Sequence, residues 1–144
     1  IQNVYFLDPD YEDHLRQKYA DIEAKEQRWE SIKVEDADIV LVSYGISSRF
    51  CKEAVRTARA QGLKLGLIRL ITLWPFPVNA FKEVNPAVKS FLTVERGTLG
   101  QLVDDSRLAT NCAYPVDHYG SMMALPEAKG IIEKAQTVLK EVGR

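Results

Sequence analysis

The stretch DIVLVSYG, residues 38–45, carries an unbroken apolar run from Ile39 to Val42 and ends at a glycine. A strand with one wet face alternates apolar and polar residues. A run without alternation belongs to a strand covered on both faces, as in parallel sheets. The next segment, ISSRFCKEAVRTARAQG (46–62), switches to the helical period, with Phe50, Ala54, Val55 and Ala58 on one face. Ser47 or Ser48 is expected to cap this helix and Gly62 to end it. Further strands are expected in LKLGLIRLIT (63–72), FLTVE (91–95) and PVDHYG (115–120). Between them come a short helix after Pro77, a helix from about Leu99 to Thr110, and a closing helix over 126–142. Ile131, Ile132, Ala135, Val138, Leu139 and Val142 are placed inward on the last. Strands alternating with helices predict an α/β fold, a three-layer sandwich on a mainly parallel, mixed sheet of four to five strands.

Upstream, Asp8-Pro9 reads as an N-cap followed by proline at the first helical position. Tyr11, Leu15, Tyr19, Ile22, Trp29 and Ile32 then recur at spacings of three, four and seven, which predicts an amphipathic helix over 9–31. The organisation expected is an N-terminal helical extension over 1–33 and an α/β domain over 34–144. The first residue is Ile1 rather than Met, which points to a piece of a longer polypeptide.

The chain has 144 residues, 46% of them hydrophobic, enough for a core without disulfides or metals. Nineteen basic and twenty acidic residues leave a formal charge of −1, which disfavours nucleic acid or an anionic membrane as partner. No apolar run approaches the length of a membrane span. Cys51 and Cys112 are far apart and match no zinc, redox or iron-sulfur spacing, so they read as reduced structural thiols of a cytoplasmic protein.

In parallel α/β sheets, sites lie at the carboxyl ends of the strands. Three stretches there carry candidates. In SYGISSR, the helix N-terminus at Ser47 and Ser48, joined by Arg49, could receive a small anion or nucleotide. Gly45 lacks the second loop glycine of a phosphate loop, and an ordinary capped helix explains the same residues. In VERGTLGQL, Glu95 ends a strand, Gly97 and Gly100 shape a turn and Gln101 opens a helix. Glu95 is either an acid-base group or a structural one, capping that helix or pairing with Arg69 or Arg96. In RLITLWPFP (69–77), Pro75 and Pro77 stiffen the loop and hold Trp74 and Phe76 extended. These aromatics are either anchors for a partner or a lid on the domain's own sheet edge. His14 and His118, the two histidines, have no nucleophile near them in sequence, and no metal-ligand spacing occurs.

Taken together and in order, DADIVLVSYG, AVRTARAQGLKLGLIRLITLWPFP, FLTVERGTLGQL and MALPE resemble the C-terminal domain of the α subunit of 2-oxoacid:ferredoxin oxidoreductases, a region of transketolase C-terminal-like fold. The resemblance covers about residues 34–142, and its most specific element is GLIRLITLWPFP followed by the Glu and Gly-Gln pair. The branched-chain variety, acting on 2-oxoisovalerate, looks most similar, with the 2-oxoglutarate enzyme next. The resemblance implies conversion of a 2-oxoacid and coenzyme A to acyl-CoA and carbon dioxide, with electrons passing to ferredoxin. Thiamine diphosphate, Mg2+, [4Fe-4S] clusters and coenzyme A are implied for the whole enzyme, and none of them for this domain. The implied partners are the other domains of the α subunit, the β subunit or further γ and δ subunits, and ferredoxin. The implied role here is structural, with no catalytic, cofactor-binding or metal-binding residue, Trp74, Pro75, Phe76 and Pro77 as interface, and Glu95, Gly100 and Gln101 as the family motif. The family pattern expected after the strand is an acid, an Asn two residues on, then Gly-Gln. This sequence is one residue longer and has Gly97 where Asn would stand, so no residue-level role is carried onto Glu95. The competing expectation is a stand-alone small-anion or nucleotide-binding module built on Ser47, Ser48 and Arg49.

Overall fold

A computed structural model describes residues 9–143. Its elements are α1 (Pro9–Lys25), β1 (Trp29–Ile32), β2 (Ile39–Tyr44), α2 (Ser47–Ala60), β3 (Leu65–Leu70), a 3-10 helix (Val78–Glu83), β4 (Ser90–Glu95), α3 (Leu102–Ala109), β5 (Val116–Gly120) and α4 (Ala128–Val142). The five strands form one sheet in the order β1-β3-β2-β4-β5. β2, β3, β4 and β5 pair parallel, and β1 joins the outer edge of β3 antiparallel. The sheet is therefore mixed and mostly parallel.

The apolar run Ile39–Val42 lies in the central strand, β2. Ile39 and Leu41 point to one face, where α2 and α4 close over them with Cys51, Ala54, Ala58, Ile131 and Ala135. Val40 and Val42 point to the other, under the 3-10 helix and α3, where they meet Phe81, Phe91 and Leu102. All four side chains are fully buried, which accounts for the missing polar alternation. Val142, expected inward on α4, is 40% exposed as the last residue of the helix.

The expected helix over 9–31 ends at Lys25, and Trp29–Ile32 is instead a strand. Trp29↔Leu70 through Ile32↔Leu67 is a continuous antiparallel register. Tertiary pairing overrides the helical spacing there. The strand is held further by Glu30, whose carboxylate receives Lys52 Nζ of α2 at 2.8 Å and Arg69 of β3 at 3.1 Å. The hydrogen bonds from Lys52 and Arg69 hold the Glu30 carboxyl below its ordinary range despite some desolvation. The Trp29 indole N–H donates to Glu83 Oε1 at 3.2 Å, and the Ser31 hydroxyl also bonds the Glu83 carboxylate. Asp8, expected to cap α1, lies outside the described residues.

The two thiols differ. Cys51, on the inner face of α2, is wholly buried, and burial pushes its thiol up to about 12 against a smaller opposing effect from Ser43. Cys112 is exposed on the turn after α3, at φ 56°, and is not the buried structural thiol expected.

Two outcomes are expected. Leu41→Ala removes a fully buried side chain in the central strand and lowers unfolding free energy by about 3 kcal/mol, measured by urea titration. A disulfide reagent at pH 8 labels Cys112 in the native protein and reaches Cys51 only after denaturation.

Candidate functional site

The four parallel strands all deliver their carboxyl ends to one edge of the sheet, so the loops at 45–46, 71–77, 96–101 and 121–127 are neighbours there. Every candidate named from the sequence lies on this edge.

At the β2–α2 junction, Ile46 rather than a serine occupies the N-cap position, with helical dihedrals and no side-chain cap. Ser47 and Ser48 are the first helical residues and both are buried. The Ser48 hydroxyl donates to the Gly45 carbonyl at 2.7 Å. Its one hydroxyl hydrogen is thereby spent on the turn. Arg49 is exposed. The expected serine cap is thus replaced by a backbone turn through Gly45 at φ 56°.

At the β3 loop the four expected interface residues separate. Pro75 and Pro77 are buried. Phe76 turns back onto the domain, stacked on Phe81 at 5.9 Å and 29°, and Phe81 in turn meets Phe91. Trp74 alone stands out, 57% exposed, with its ring edge-on to Tyr19 of α1 at 5.8 Å. A groove of about 320 Å³ between α1 and this loop is lined by Glu23, Gln27, Trp74, Pro75, Phe76 and Val78. The loop is tied to the end of α1 through Arg28, whose N–H donates to Thr72 Oγ1 at 3.0 Å and whose carbonyl accepts from Ile71 N–H.

At the β4 loop, Glu95 is 2% exposed and turned inward. Its Oε1 accepts the Leu102 N–H at 3.2 Å, so the carboxylate sits on the first turn of α3, where unpaired N–H groups and the helix dipole favour negative charge. It pairs with neither arginine proposed for it. Arg69 is engaged with Glu30, and Arg96 donates to the Met122 carbonyl at 3.2 Å. Gly100 makes the turn at φ 69°, and Gln101, exposed, precedes the helix.

The sequence missed the neighbour that the sheet brings to Glu95. Thr93 is registered opposite His118 on β5, and His118 Nδ1 lies 3.8 Å from Glu95 Oε1. Thr93 Oγ1 is 3.1 Å from Nδ1 and 3.3 Å from the Asp117 carbonyl. His118 Nε2 is 3.1 Å from the Gly97 carbonyl, which can only accept, so this nitrogen carries a hydrogen. Glycine is required around the ring: a Cβ at Gly100 would stand 2.8 Å from His118 Cγ, and one at Gly120 2.2 Å from the Glu95 carbonyl oxygen. The parallel pairing of PVDHYG with FLTVE was the signal that could have found this cluster, had a register been assigned. Asp117, beside it, accepts Lys134 Nζ at 2.6 Å and the His118 N–H at 2.7 Å. Burial works to raise the Asp117 carboxyl, but those two hydrogen bonds and the nearby positive charge outweigh it, and the carboxyl is held below its ordinary range.

Chemically, this edge offers a carboxylate and an imidazole, and both are spent on the protein itself. A diphosphate at the α3 N-terminus would have to displace the Glu95 carboxylate, and at α2 it would meet Ser48 already bonded to Gly45. The residues present do not fit thiamine diphosphate, and no reaction step runs through it here.

Residues 37–125 match the family described as pyruvate:ferredoxin oxidoreductase core domain II. The chain belongs to this family. It is 50% identical over 99 residues to ketoisovalerate oxidoreductase subunit VorB of Methanothermobacter marburgensis, covering 69% of this chain and 28% of that protein. To the subunit of the same name in Methanothermobacter thermautotrophicus it is 42% identical, covering 87% of this chain and 35% of that one. To 2-oxoglutarate synthase subunit KorA of Methanothermobacter marburgensis it is 34% identical, over 75% of this chain and 27% of that protein. The chain thus spans about a third of the length of the relatives it matches. In fold it is similar to 2-oxoglutarate:ferredoxin oxidoreductase from Magnetococcus marinus, with a TM-score of 0.76 at 20% identity over 92% of this chain and 24% of that one. An inactive split-gene transketolase tetramer is similar at a TM-score of 0.65 and 20% identity, over 78% of this chain and 41% of the other. The core domain II chain therefore has the transketolase-like α/β fold that the motifs implied. Among the described residues, no helix is long and apolar enough to cross a membrane.

Two tests bear on this cluster in the core domain II chain. Glu95→Ala leaves the Leu102 N–H of α3 unpaired and costs about 1–3 kcal/mol of stability by urea titration, with loss of amide protection at the start of α3. A lowered carboxyl pKa adds stability that is present at neutral pH and lost as pH falls through the folded value. Asp117→Asn therefore lowers stability by about 1 kcal/mol or less at pH 7, the partly exposed pair being screened, and its deficit closes below about pH 4.

Proposed function

We propose that this chain is an assembly domain of the α subunit of a cytoplasmic 2-oxoacid:ferredoxin oxidoreductase of the 2-oxoisovalerate type, without catalytic residues of its own. The observation that carries the reading is the 50% identity to a ketoisovalerate oxidoreductase subunit over most of the chain. It is supported by the chemistry of the edge, where the one buried carboxylate caps a helix and the adjacent imidazole bonds Thr93 and Gly97. The whole enzyme would convert a branched 2-oxoacid and coenzyme A to acyl-CoA and carbon dioxide and reduce ferredoxin. Its thiamine diphosphate, Mg2+ and [4Fe-4S] clusters would be held in other domains and subunits, as cofactors carry such chemistry and the surrounding protein positions them. Trp74 is the residue of the WPFP loop available to those partners, while Pro75, Phe76 and Pro77 support it from beneath. Over comparable shares of the chain, the identity is 50% to a ketoisovalerate oxidoreductase subunit and 34% to a 2-oxoglutarate synthase subunit, which favours the branched-chain substrate.

The test uses the full-length subunit purified with its partners. Coenzyme A-dependent reduction of ferredoxin is expected to proceed faster with 2-oxoisovalerate than with 2-oxoglutarate, and turnover of neither would overturn the reading. The 144-residue chain alone should give no heat with thiamine diphosphate in calorimetry; saturable binding there would place cofactor chemistry in this domain.

A further inference from the structure

The arginines of the chain divide by position. Of the eight in the described residues, Arg16, Arg28, Arg56, Arg59, Arg69 and Arg107 each form an ion pair. Arg49 and Arg96 form none among the described residues, and both stand at the carboxyl edge of the sheet, just after the adjacent strands β2 and β4. The same edge gathers the apolar surface. Eight of the twelve large apolar side chains exposed among the described residues lie on its four loops, among them Ile46, Trp74, Leu99, Met122 and Met123, the last 95% exposed. Of the exposed acids at this edge, Glu127 precedes α4 and Asp104 and Asp105 lie on the first turn of α3, where Asp104 is taken up by Arg107; none of the three pairs with Arg49 or Arg96.

We propose that this edge is a docking face for an acidic, apolar protein surface elsewhere in the same enzyme, with carboxylates meeting Arg49 and Arg96 inside a ring of apolar contacts. The inference rests on the functional reading above, under which about two thirds of the subunit lies outside this chain. An exposed apolar edge of this extent marks an interaction surface in a water-soluble fold. Two guanidiniums without counter-charges within it are matched by carboxylates, because such pairs fix register and exclude wrong partners. Arg96 is also braced for the task. Its Nη2 donates to the Met122 carbonyl, which ties the β4 loop to the β5 loop and orders both before contact. Trp74 marks the far end of the face, beyond β2 on the β3 loop.

The experiment is peroxide footprinting of Met122 and Met123 in the assembled full-length enzyme, read by mass spectrometry, since exposed methionine oxidises readily to the sulfoxide. In the parent enzyme both methionines are expected to oxidise about tenfold more slowly than in the urea-unfolded chain. The double variant Arg49→Glu, Arg96→Glu should restore oxidation and weaken subunit association by about tenfold or more, corresponding to roughly 1.4 kcal/mol. Arg49→Lys, Arg96→Lys should retain most of the protection, which separates charge from folding. Methionines that oxidise in the parent at the unfolded rate would show an open edge and overturn the proposal. Protection unchanged by charge reversal would overturn its acidic chemistry. Protection that appears in the subunit alone and fades on dilution would assign the face to a second copy, and protection that requires added inorganic phosphate would assign it to a small anion. Turnover of the parent, measured in parallel, tests the functional reading independently of the methionines.

Discussion

Burial of β2 on both faces is the constraint from which the architecture follows. A strand of Ile39, Val40, Leu41 and Val42 exposes apolar side chains up and down alternately, so one covering layer leaves half of them wet. Two layers are needed. α2 and α4 supply one, and the 3-10 helix with α3 supplies the other. Parallel neighbours on each side require crossovers, and α2, the 3-10 helix and α3 are those crossovers, with α4 closing the chain after the last strand. The carboxyl edge then collects every strand-to-helix turn, and with them Glu95, Trp74 and Arg49. The placement of the candidate residues is thus a consequence of covering the central strand.

The local signals that served well were those set by neighbours in sequence. The strand at 38–45 and the helix at 46–62 were legible because apolar periodicity and a terminating glycine agree on them. Trp29 was misread for a physical reason. Its spacing from Ile22 and Ile32 suits a helix, yet a four-residue segment of mixed polarity is decided by what lies beside it, and the open edge of β3 offered a full register. The WPFP loop was legible as rigid but not as divided. Whether an aromatic faces in or out depends on a partner such as Phe81 or Tyr19, and the sequence gives no distance to either.

The Glu95 cluster shows the same limit more sharply. In the sequence Glu95 fits both helix capping and acid-base chemistry, and His118 stands twenty-three residues downstream. The β4–β5 register removes that distance by setting Thr93 opposite His118. Gly120 then admits the close approach of the Glu95 carbonyl, and Gly100 admits the imidazole. The carboxylate reaches a helix terminus and caps it, and the imidazole lies within hydrogen-bond distance of Thr93 and Gly97.

The Glu95 carboxylate on α3 has one further consequence. An anion carried on the chain only seven residues from the helix N–H it binds is present there at an effective concentration of roughly millimolar or above, set by the short connection rather than by the solution. Free phosphates and nucleotides must compete with a permanent occupant that never diffuses away. A helix end of the kind that receives such ligands in other α/β proteins therefore carries an anion of its own here.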